Sequence, residues 1–597
     1  MNILGISSYN RNSAACLVQD GVIVAAAQEE RFSRKKDDSS LPRQSIYYCL
    51  EAGAINVDDL DFVTLYDKPL HKLGRILKSY IGSAPAGLIS FLNNMPTWFS
   101  QNLWFKEDLE EAIGFSGTII YPEHLQSQAA SAFFPSPFQE AAFLIIDGLG
   151  PSTATSYGTG SNNKISIEAE IKAPHSLGIL YSAFCQFTGL EFKTAGNHLI
   201  DLSHLGEAKY QKLILSKLMD LKEDGSFKLN MEYFSYHDGI PMINDNFAKL
   251  FGRTPRLPYS PFSQMDMDLA SSIQQVTEDV VLRMAKHVHK QTGQRNLCLG
   301  GDISLNCSAN GRIARESLFD DLWIQHPAGE SAGAIGAALF TWHQYLNNPK
   351  PLIATPDTPK GSCLGPSFSN KSIQNFLDSQ NTSYSELSDQ EISEIIADKI
   401  DNQEIIGWFQ GRMELGPTSV GTRAIIGDAR SDTIRATINQ KIKKRHDFRS
   451  VSATTVQEHL GDYFDNDHNW PGVLTTAKLK DKLCPKAAAE QADLTGIEKL
   501  EPTPSSLPAI TQADCSAKIQ LIKKAEYPLY HKLLTTFYDK YGCGIILNTP
   551  FNIDGEPIVC TPEDAYRCFL KTELNSLIIG NFLIEKNNNQ AEEVKEK

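Results

Sequence analysis

The sequence predicts an α/β protein built from two large domains. Three observations carry this prediction: a length of 597 residues, short apolar runs that end in glycine turns, and a helical apolar period between those runs. One hydrophobic core stops growing well short of that length, so the chain must divide. An apolar share of 41% and a charged share of 21% are those of an ordinary globular protein.

The opening residues Ile3-Leu4-Gly5-Ile6, Ser13-Ala14-Ala15-Cys16-Leu17-Val18 and Gly21-Val22-Ile23-Val24-Ala25-Ala26 read as three short strands joined by tight turns. The chain enters the first of them at once, with no basic n-region before an apolar core, so no signal peptide is expected. Residues 88 to 104 are apolar, but Asn93, Asn94, Pro96 and Gln101 break the run, which argues against a bilayer span. A buried strand, Ala142-Phe143-Leu144-Ile145-Ile146, runs into Asp147-Gly148-Leu149-Gly150, and another, Asn296-Leu297-Cys298-Leu299, runs into Gly300-Gly301-Asp302. Between them, 268 to 292 places Ile273, Val276, Val280, Val281, Met284 and Ala285 on recurring helical faces. Glycine turns after strands expose backbone N–H groups that can approach phosphate without interference from a Cβ. Three such turns fit the plan of an actin-like ATPase.

Residues 347 to 365, rich in Pro, Thr and Gly, read as a linker. The second domain runs to about residue 584 and holds the strand Glu404-Ile405-Ile406-Gly407-Trp408-Phe409 and a basic segment from Lys441 to Arg449. From 465 to 506 the periodicity is poor and a loop-rich excursion is expected; the charged tail 587–597 reads as disordered. No internal sequence repeat is apparent.

A net charge of −15 argues against binding to nucleic acid or to an anionic membrane, while leaving room for a local basic pocket. Eleven cysteines without CxxC spacing read as reduced, mostly buried thiols in a cytoplasmic protein.

Several motifs occur in a fixed order: Gln28-Glu29-Glu30-Arg31-Phe32-Ser33-Arg34, then Gln128-Ala129-Ala130-Ser131-Ala132-Phe133, then Gly300-Gly301 with Leu305-Asn306-Cys307 and Asn310-Gly311. Gly411-Arg412-Met413-Glu414-Leu415-Gly416-Pro417 and the late run Leu547-Asn548-Thr549-Pro550-Phe551-Asn552 complete the set. In this combination the chain resembles, over nearly its whole length, the carbamoyltransferases of antibiotic and nodulation-factor biosynthesis, the NodU/CmcH family. The resemblance implies an N-terminal actin-like ATPase (Kae1-like) domain over residues 1–350, a linker over 351–365, a YrdC-like α/β domain over 366–585 and a tail over 586–597. It implies ATP with Mg2+, and iron or another divalent metal, as cofactors. Carbamoyl phosphate and a small-molecule natural-product or sugar acceptor are the implied partners, and a homodimer is compatible with it.

The implied chemistry joins carbamoyl phosphate and ATP into a carbamoyl-adenylate, which calls for clustered cations and N–H donors. Lys443, Arg445, Arg449 and Lys518 are the implied anion ligands, and Asn548, Thr549 and Asn552 can hold a planar carbamoyl group through amides and a hydroxyl. Gly148, Gly300, Gly301, Asn306, Gly411, Arg412 and Glu414 are the implied nucleotide-binding positions. The catalytic positions are Arg11 and Asn12, where the family carries His-Asp, with His198 as the candidate replacement base. Arginine stays protonated and is a poor base.

The implied metal ligands are His124, Asp147 and Glu330, the last one methylene longer than the aspartate usual there. Gln128 stands where a second histidine is expected, one helical turn from His124, and a neutral amide is a poor ligand for a transition metal, so a weakened or absent metal site is expected. Two readings remain open on these residues. One is carbamoyl transfer with a remodelled acceptor site; the other is different ATP-dependent acyl or adenylate chemistry, or a non-catalytic nucleotide-binding role.

Overall fold

A computed structural model of the chain describes residues 1–9, 12–69, 104–148, 153–190, 195–235, 242–324, 326–327, 329–351, 362–465, 474–484, 505–586, residue 496 and scattered positions between 73 and 95. It divides into two compact units. One comprises Met1–Glu29 and Asp37–Thr358; the other comprises Glu30–Lys36 and Pro359–Lys597. A short stretch of the N-terminal sequence thus belongs with the C-terminal unit.

The first unit holds two five-stranded sheets. In the first, β1 (Asn2–Ser7), β2 (Ala14–Gln19) and β3 (Val22–Gln28) form an antiparallel meander. After α1 (Arg43–Ala52), β4 (Phe62–Leu65) joins β1 in parallel. After α2 (Phe105–Ile113), β5 (Ile119–Ile120) joins β4 in parallel. The spatial order is β3-β2-β1-β4-β5. In the second sheet, which follows α3 (His124–Phe133), β6 (Glu140–Ile146), β7 (Thr153–Ser161) and β8 (Lys164–Lys172) form the meander.

The chain continues through α4 (Leu177–Phe187), α5 (Ala195–Ser203), a ribbon of β9 (Met219–Leu221) and β10 (Phe227–Leu229), and α6 (Gln264–Thr292). Then β11 (Asn296–Gly300) joins β6 in parallel, α7 (Cys307–Arg315) follows, and β12 (Asp321–Ile324) joins β11 in parallel. The order is β12-β11-β6-β7-β8, the same plan as the first sheet. The pair of sheets is one strand plan used twice, the duplication expected of an actin-like fold. The missing sequence repeat is thereby explained: the two halves share strand order and direction, not residues.

Local sequence sets these elements. Helix α6 starts on a capping box in which Ser263 and Asp266 exchange side-chain and backbone bonds, and it stops at Gly293, whose φ of 62° is left-handed. The box puts the start four residues before the apolar period suggests. Helix α8 (Ala332–Phe340) is almost entirely small or apolar because it is squeezed from two sides. A Cβ on Gly336 would strike the Ser127 carbonyl of α3, and a Cβ on Gly5 of β1 would strike the Ala334 carbonyl. Backbone approach of this kind admits only glycine.

The second unit is one mixed sheet of nine strands, flanked by α9 (Asn370–Ser379), α10 (Asp389–Asp401), α11 (Gln457–Tyr463), α12 (Pro528–Tyr541) and α13 (Pro562–Lys571). Its strands are β13 (Ser385–Glu386), β14 (Ile406–Phe409), β15 (Arg423–Asp428), β16 (Ser452–Val456), β17 (Thr475–Lys478), β18 (Ser516–Ile522), β19 (Ile546–Pro550), β20 (Ser576–Ile579) and β21 (Phe582–Glu585). The order is β13-β21-β20-β14-β15-β19-β16-β18-β17, so the expected α/β character holds here as well. Short turn Glu30–Ser33 packs into this unit, with Phe32 against Met413, Ile558 and Cys560.

One expectation needs correction. The thiols are not all reduced: Cys484 and Cys515 form a disulfide across a Cα–Cα distance of 6.4 Å, while nine cysteines are free and all but Cys363 of those are buried. The two are 31 positions apart and meet because the chain returns to β18, which no short spacing motif signals. The stretch 465–506, expected to be loop-rich, contains β17, paired antiparallel to β18. The tail 587–597, most of the expected linker and most of residues 88–104 lie outside the described residues. No helix among the described residues is long and apolar enough to cross a membrane.

Candidate active site

In the first unit, the carboxyl ends of parallel strands from both sheets bear acids. Asp67 follows β4, Asp147 follows β6, and Asp302 follows β11. Crevices at such strand ends are where α/β sheets bind ligands. The turns are tied together, with the Asp302 N–H donating to Asp147 Oδ1 at 3.2 Å and the Gly148 N–H donating to Asp302 Oδ2 at 3.3 Å. The first residue of α3, His124, donates from Nε2 to Asp147 Oδ2 at 2.6 Å and meets the Tyr66 ring edge-on at 5.4 Å.

Burial alone would depress the His124 pKa, but the hydrogen bond and charge of Asp147, with Asp67 and Glu330 adding to them, outweigh it and raise it. Tyr66 is pushed well above its ordinary value by burial and then by Glu330, Asp67, Asp147 and Asp302. Three carboxylates therefore act on the histidine and four on the phenol.

This donor set does not fit a transition metal. His124 Nε2 is hydrogen-bonded to Asp147 Oδ2, so that nitrogen carries a proton in place of a metal. Gln128, fully buried on the same helical face, directs its NH2 to the Gly329 carbonyl at 3.2 Å, and its Oε1 has no hydrogen-bond partner. Among the described residues no group of three His, Cys, Asp or Glu stands close enough together to hold a metal ion.

The other expected residues of this unit are dispersed. Arg11 lies outside the described residues; Asn12, half-buried, holds a left-handed φ of 58° in the β1–β2 turn. His198 is half-buried on α5. Gly300 packs where a Cβ would meet Ile145 and Ala132, and Gly301 has a φ of 79° that a side chain would strain. Asn306 caps α7 through the Ala309 N–H and exchanges hydrogen bonds of 3.0 Å with Gln274, so its amide is engaged inside the fold.

In the second unit the late motif lies on β19. Asn548 stands opposite Ser452 of β16, which stands opposite Lys518 of β18, so an amide, a hydroxyl and an ammonium form one row across three strands on one sheet face. Thr549 pairs with Ile425 and points to the other face, because strand side chains alternate. Asn548 and Thr549 are neighbours in sequence that cannot hold one ligand together through their side chains.

Asn552 lies past the strand, in a turn that Lys443 organises. Buried Lys443 donates to the Pro550 carbonyl at 2.6 Å, the Asn552 carbonyl at 3.3 Å and Asn552 Oδ1 at 2.6 Å. Burial and then the nearby Arg445 charge push its pKa well below the ordinary lysine value. The Asn552 NH2 donates to the Glu556 carbonyl at 2.8 Å, so this amide is occupied at both ends. Arg445 donates from Nε to Asn439 Oδ1 at 2.7 Å, and the Arg449 pKa is pushed down to about 10 by burial, which Asp554 partly offsets.

The Gly-Arg-Met-Glu motif shapes the loop before β15. Glu414 accepts the N–H groups of Val420 and Arg423 at 3.3 and 3.2 Å and the Thr422 hydroxyl. Arg412 donates to the Gly365 and Leu364 carbonyls at 3.2 and 2.7 Å, and Gly411 has a φ of 57°. Sequence reasoning missed Arg423, fully buried with its guanidinium 3.6 Å over the Phe409 ring. It also missed Asp67, Asp302, Gln520 and Thr454. Asp302 had a signal, its place directly after Gly-Gly; the others had none short of strand pairing.

Known proteins match this chain along most of its length. The carbamoyltransferase N-terminus model matches residues 2–339 and the carbamoyltransferase C-terminus model matches residues 397–586. The chain belongs to the carbamoyltransferase family, and it is a transferase. It is similar to the uncharacterized protein sll1178 of Synechocystis, at 47% identity over 98% of this chain and 97% of that one. Nodulation protein NolNO of Sinorhizobium fredii is 26% identical over 97% of this chain and 80% of that protein. The 3'-hydroxymethylcephem-O-carbamoyltransferase of Streptomyces clavuligerus is 24% identical over 48% of this chain and 47% of that enzyme.

Proposed function

We propose that the chain forms a carbamoyl-adenylate from carbamoyl phosphate and ATP in its C-terminal unit and passes the carbamoyl group to a hydroxyl of a small molecule in its N-terminal unit. Water cleaves carbamoyl phosphate to carbamate and phosphate. A carbamate oxygen then attacks the α-phosphorus of ATP, supplied with Mg2+, and pyrophosphate leaves. The acceptor hydroxyl attacks the carbamoyl carbon, AMP leaves, and the hydroxyl proton passes to a base, for which His198 is the candidate. In the first unit, Asp147, Asp302 and the glycine turns beside them line the crevice for the nucleotide.

The observation that supports this reading is the row Asn548, Ser452 and Lys518. It offers an amide for the carbamoyl group and a cation for the phosphate on one sheet face of an otherwise acidic protein. Gln128, a poor transition-metal ligand where a histidine is expected, supports the second reading, altered adenylate chemistry.

The test is product analysis with purified protein, ATP and carbamoyl phosphate. Pyrophosphate and phosphate are expected in equal amounts as the adenylate forms, and Asn548→Ala is expected to suppress both in a folded chain. Turnover with another carboxylate or acyl donor, and none with carbamoyl phosphate, would sink the reading.

A further inference from the structure

Carbamoyl phosphate and acetyl phosphate differ in one small group, an NH2 where the second has a methyl. Telling them apart requires an acceptor that faces that group and cannot turn around to present a donor. An asparagine amide can present either end, so something must fix it. Asn548 Nδ2 donates to Gln520 Oε1 and, at 3.4 Å, to the Ser419 carbonyl. Its Oδ1 is buried and has no hydrogen-bond partner. Gln520 is fixed in turn, because the Thr454 hydroxyl donates to Oε1 at 3.1 Å, and Gln520 Nε2 is also buried without a partner. Thr454 and Gln520 stand opposite each other on β16 and β18, two residues along from the Ser452–Lys518 pair and therefore on the same face as Asn548.

All three side chains are at most 3% exposed. A buried polar group left without a partner costs about 1–3 kcal/mol, so one unmatched acceptor and one unmatched donor on a single face point to a ligand that supplies the complement. A carbamoyl group does so, with its NH2 donating to Asn548 Oδ1 and its carbonyl accepting from Gln520 Nε2.

We propose that Gln520, itself held by Thr454, is a positioning residue that locks the Asn548 amide with Oδ1 toward the donor site, so that the site accepts a donor bearing an NH2 group and rejects its methyl analogue. The inference rests on the carbamoyl reading above. Without the lock Asn548 can rotate and present its NH2, which suits neither donor better than the other.

The experiment compares kcat/KM for pyrophosphate formation with carbamoyl phosphate and with acetyl phosphate in the full chain. Wild type is expected to prefer carbamoyl phosphate strongly. Gln520→Met, close in shape but without an acceptor, is expected to lower the carbamoyl-to-acetyl ratio about tenfold or more, and Thr454→Val by less. Gln520→Glu keeps an oxygen facing Asn548 Nδ2, and its charge weighs on both anionic donors alike, so it should retain more of the ratio than Gln520→Met. A wild-type preference together with an unchanged ratio in folded Gln520→Met, both rates falling in step, overturns the inference alone. A wild-type chain that releases pyrophosphate with neither donor removes the carbamoyl reading and the inference with it. If Gln520→Met does not fold, Thr454→Val carries the same comparison, and an unchanged ratio there is equally fatal.

Discussion

Replacing Lys443 by Met separates two roles for the basic segment. If Lys443 organises the turn after β19, as its three bonds to Pro550 and Asn552 indicate, the substitution strips partners from two carbonyls and an amide oxygen. Each acceptor left without its partner costs about 1–3 kcal/mol where water cannot reach it. Part of that is returned, because a buried ammonium whose proton is held weakly is no longer needed. The net loss expected is about 3 kcal/mol, which for a unit of this size lowers its unfolding midpoint by about 6–12 °C. Calorimetry on the full chain reads this as a downward shift of one of two transitions, the other staying in place. If Lys443 instead serves chiefly as a ligand for the donor phosphate, the midpoint stays put and KM for carbamoyl phosphate rises. That second outcome would refute the structural role.

Further perturbations test the first unit. His343, stacked on Phe134 with ring centroids 4.4 Å apart, has its pKa pushed down to about 4 by burial, against an ordinary 6.5. Because the unfolded chain binds this proton more readily, its contribution to stability is complete above pH 6.5 and falls by about 3 kcal/mol as pH drops to 4. Urea unfolding should show that loss in wild type and not in His343→Phe. His124 acts in the opposite sense, since its raised pKa gives stability at low pH that is lost as pH rises through the folded value. Gly336→Ala drives a methyl group into the Ser127 carbonyl. It is expected to lower stability by about 1–3 kcal/mol through the α3–α8 packing and to weaken nucleotide binding, read by a titration of ATP on the folded variant.

Much of the first unit was legible from local pattern. The three opening strands, the strands before Asp147 and Gly300, and the long helix all show their period without help from distant residues. Their duplication into two sheets of one order was not legible, because strand order is set by pairings between residues far apart in sequence. The site was legible by residue type more than by role. Asn548 stood out, but the alternation of β19, which turns Thr549 away from it, is masked by the mixture of apolar and polar residues in Ile-Leu-Asn-Thr-Pro. Gln520 reads as an ordinary polar position of a half-buried strand until its partners on β16 and β19 are known. The role of the basic segment was not legible for a physical reason: a lysine among carbonyls and a lysine facing an anion look alike in sequence.

The assignment of residues 30–36 to the C-terminal unit bears on how the chain is made. Arg34 donates to the Ile558 and Pro557 carbonyls at 2.7 and 2.8 Å, and Arg31 to that of Gly416. These partners leave the ribosome more than 380 residues after the arginines do. Since domains generally fold in the order of synthesis, this stretch must wait, solvated, through the whole production of the first unit before its site exists. A C-terminal fragment cut at Pro359 would lack it for good, leaving Met413, Ile558 and Cys560 without the cover of Phe32. The C-terminal unit is therefore not a separable cassette, and any attempt to exchange it between relatives has to carry the distant heptapeptide along.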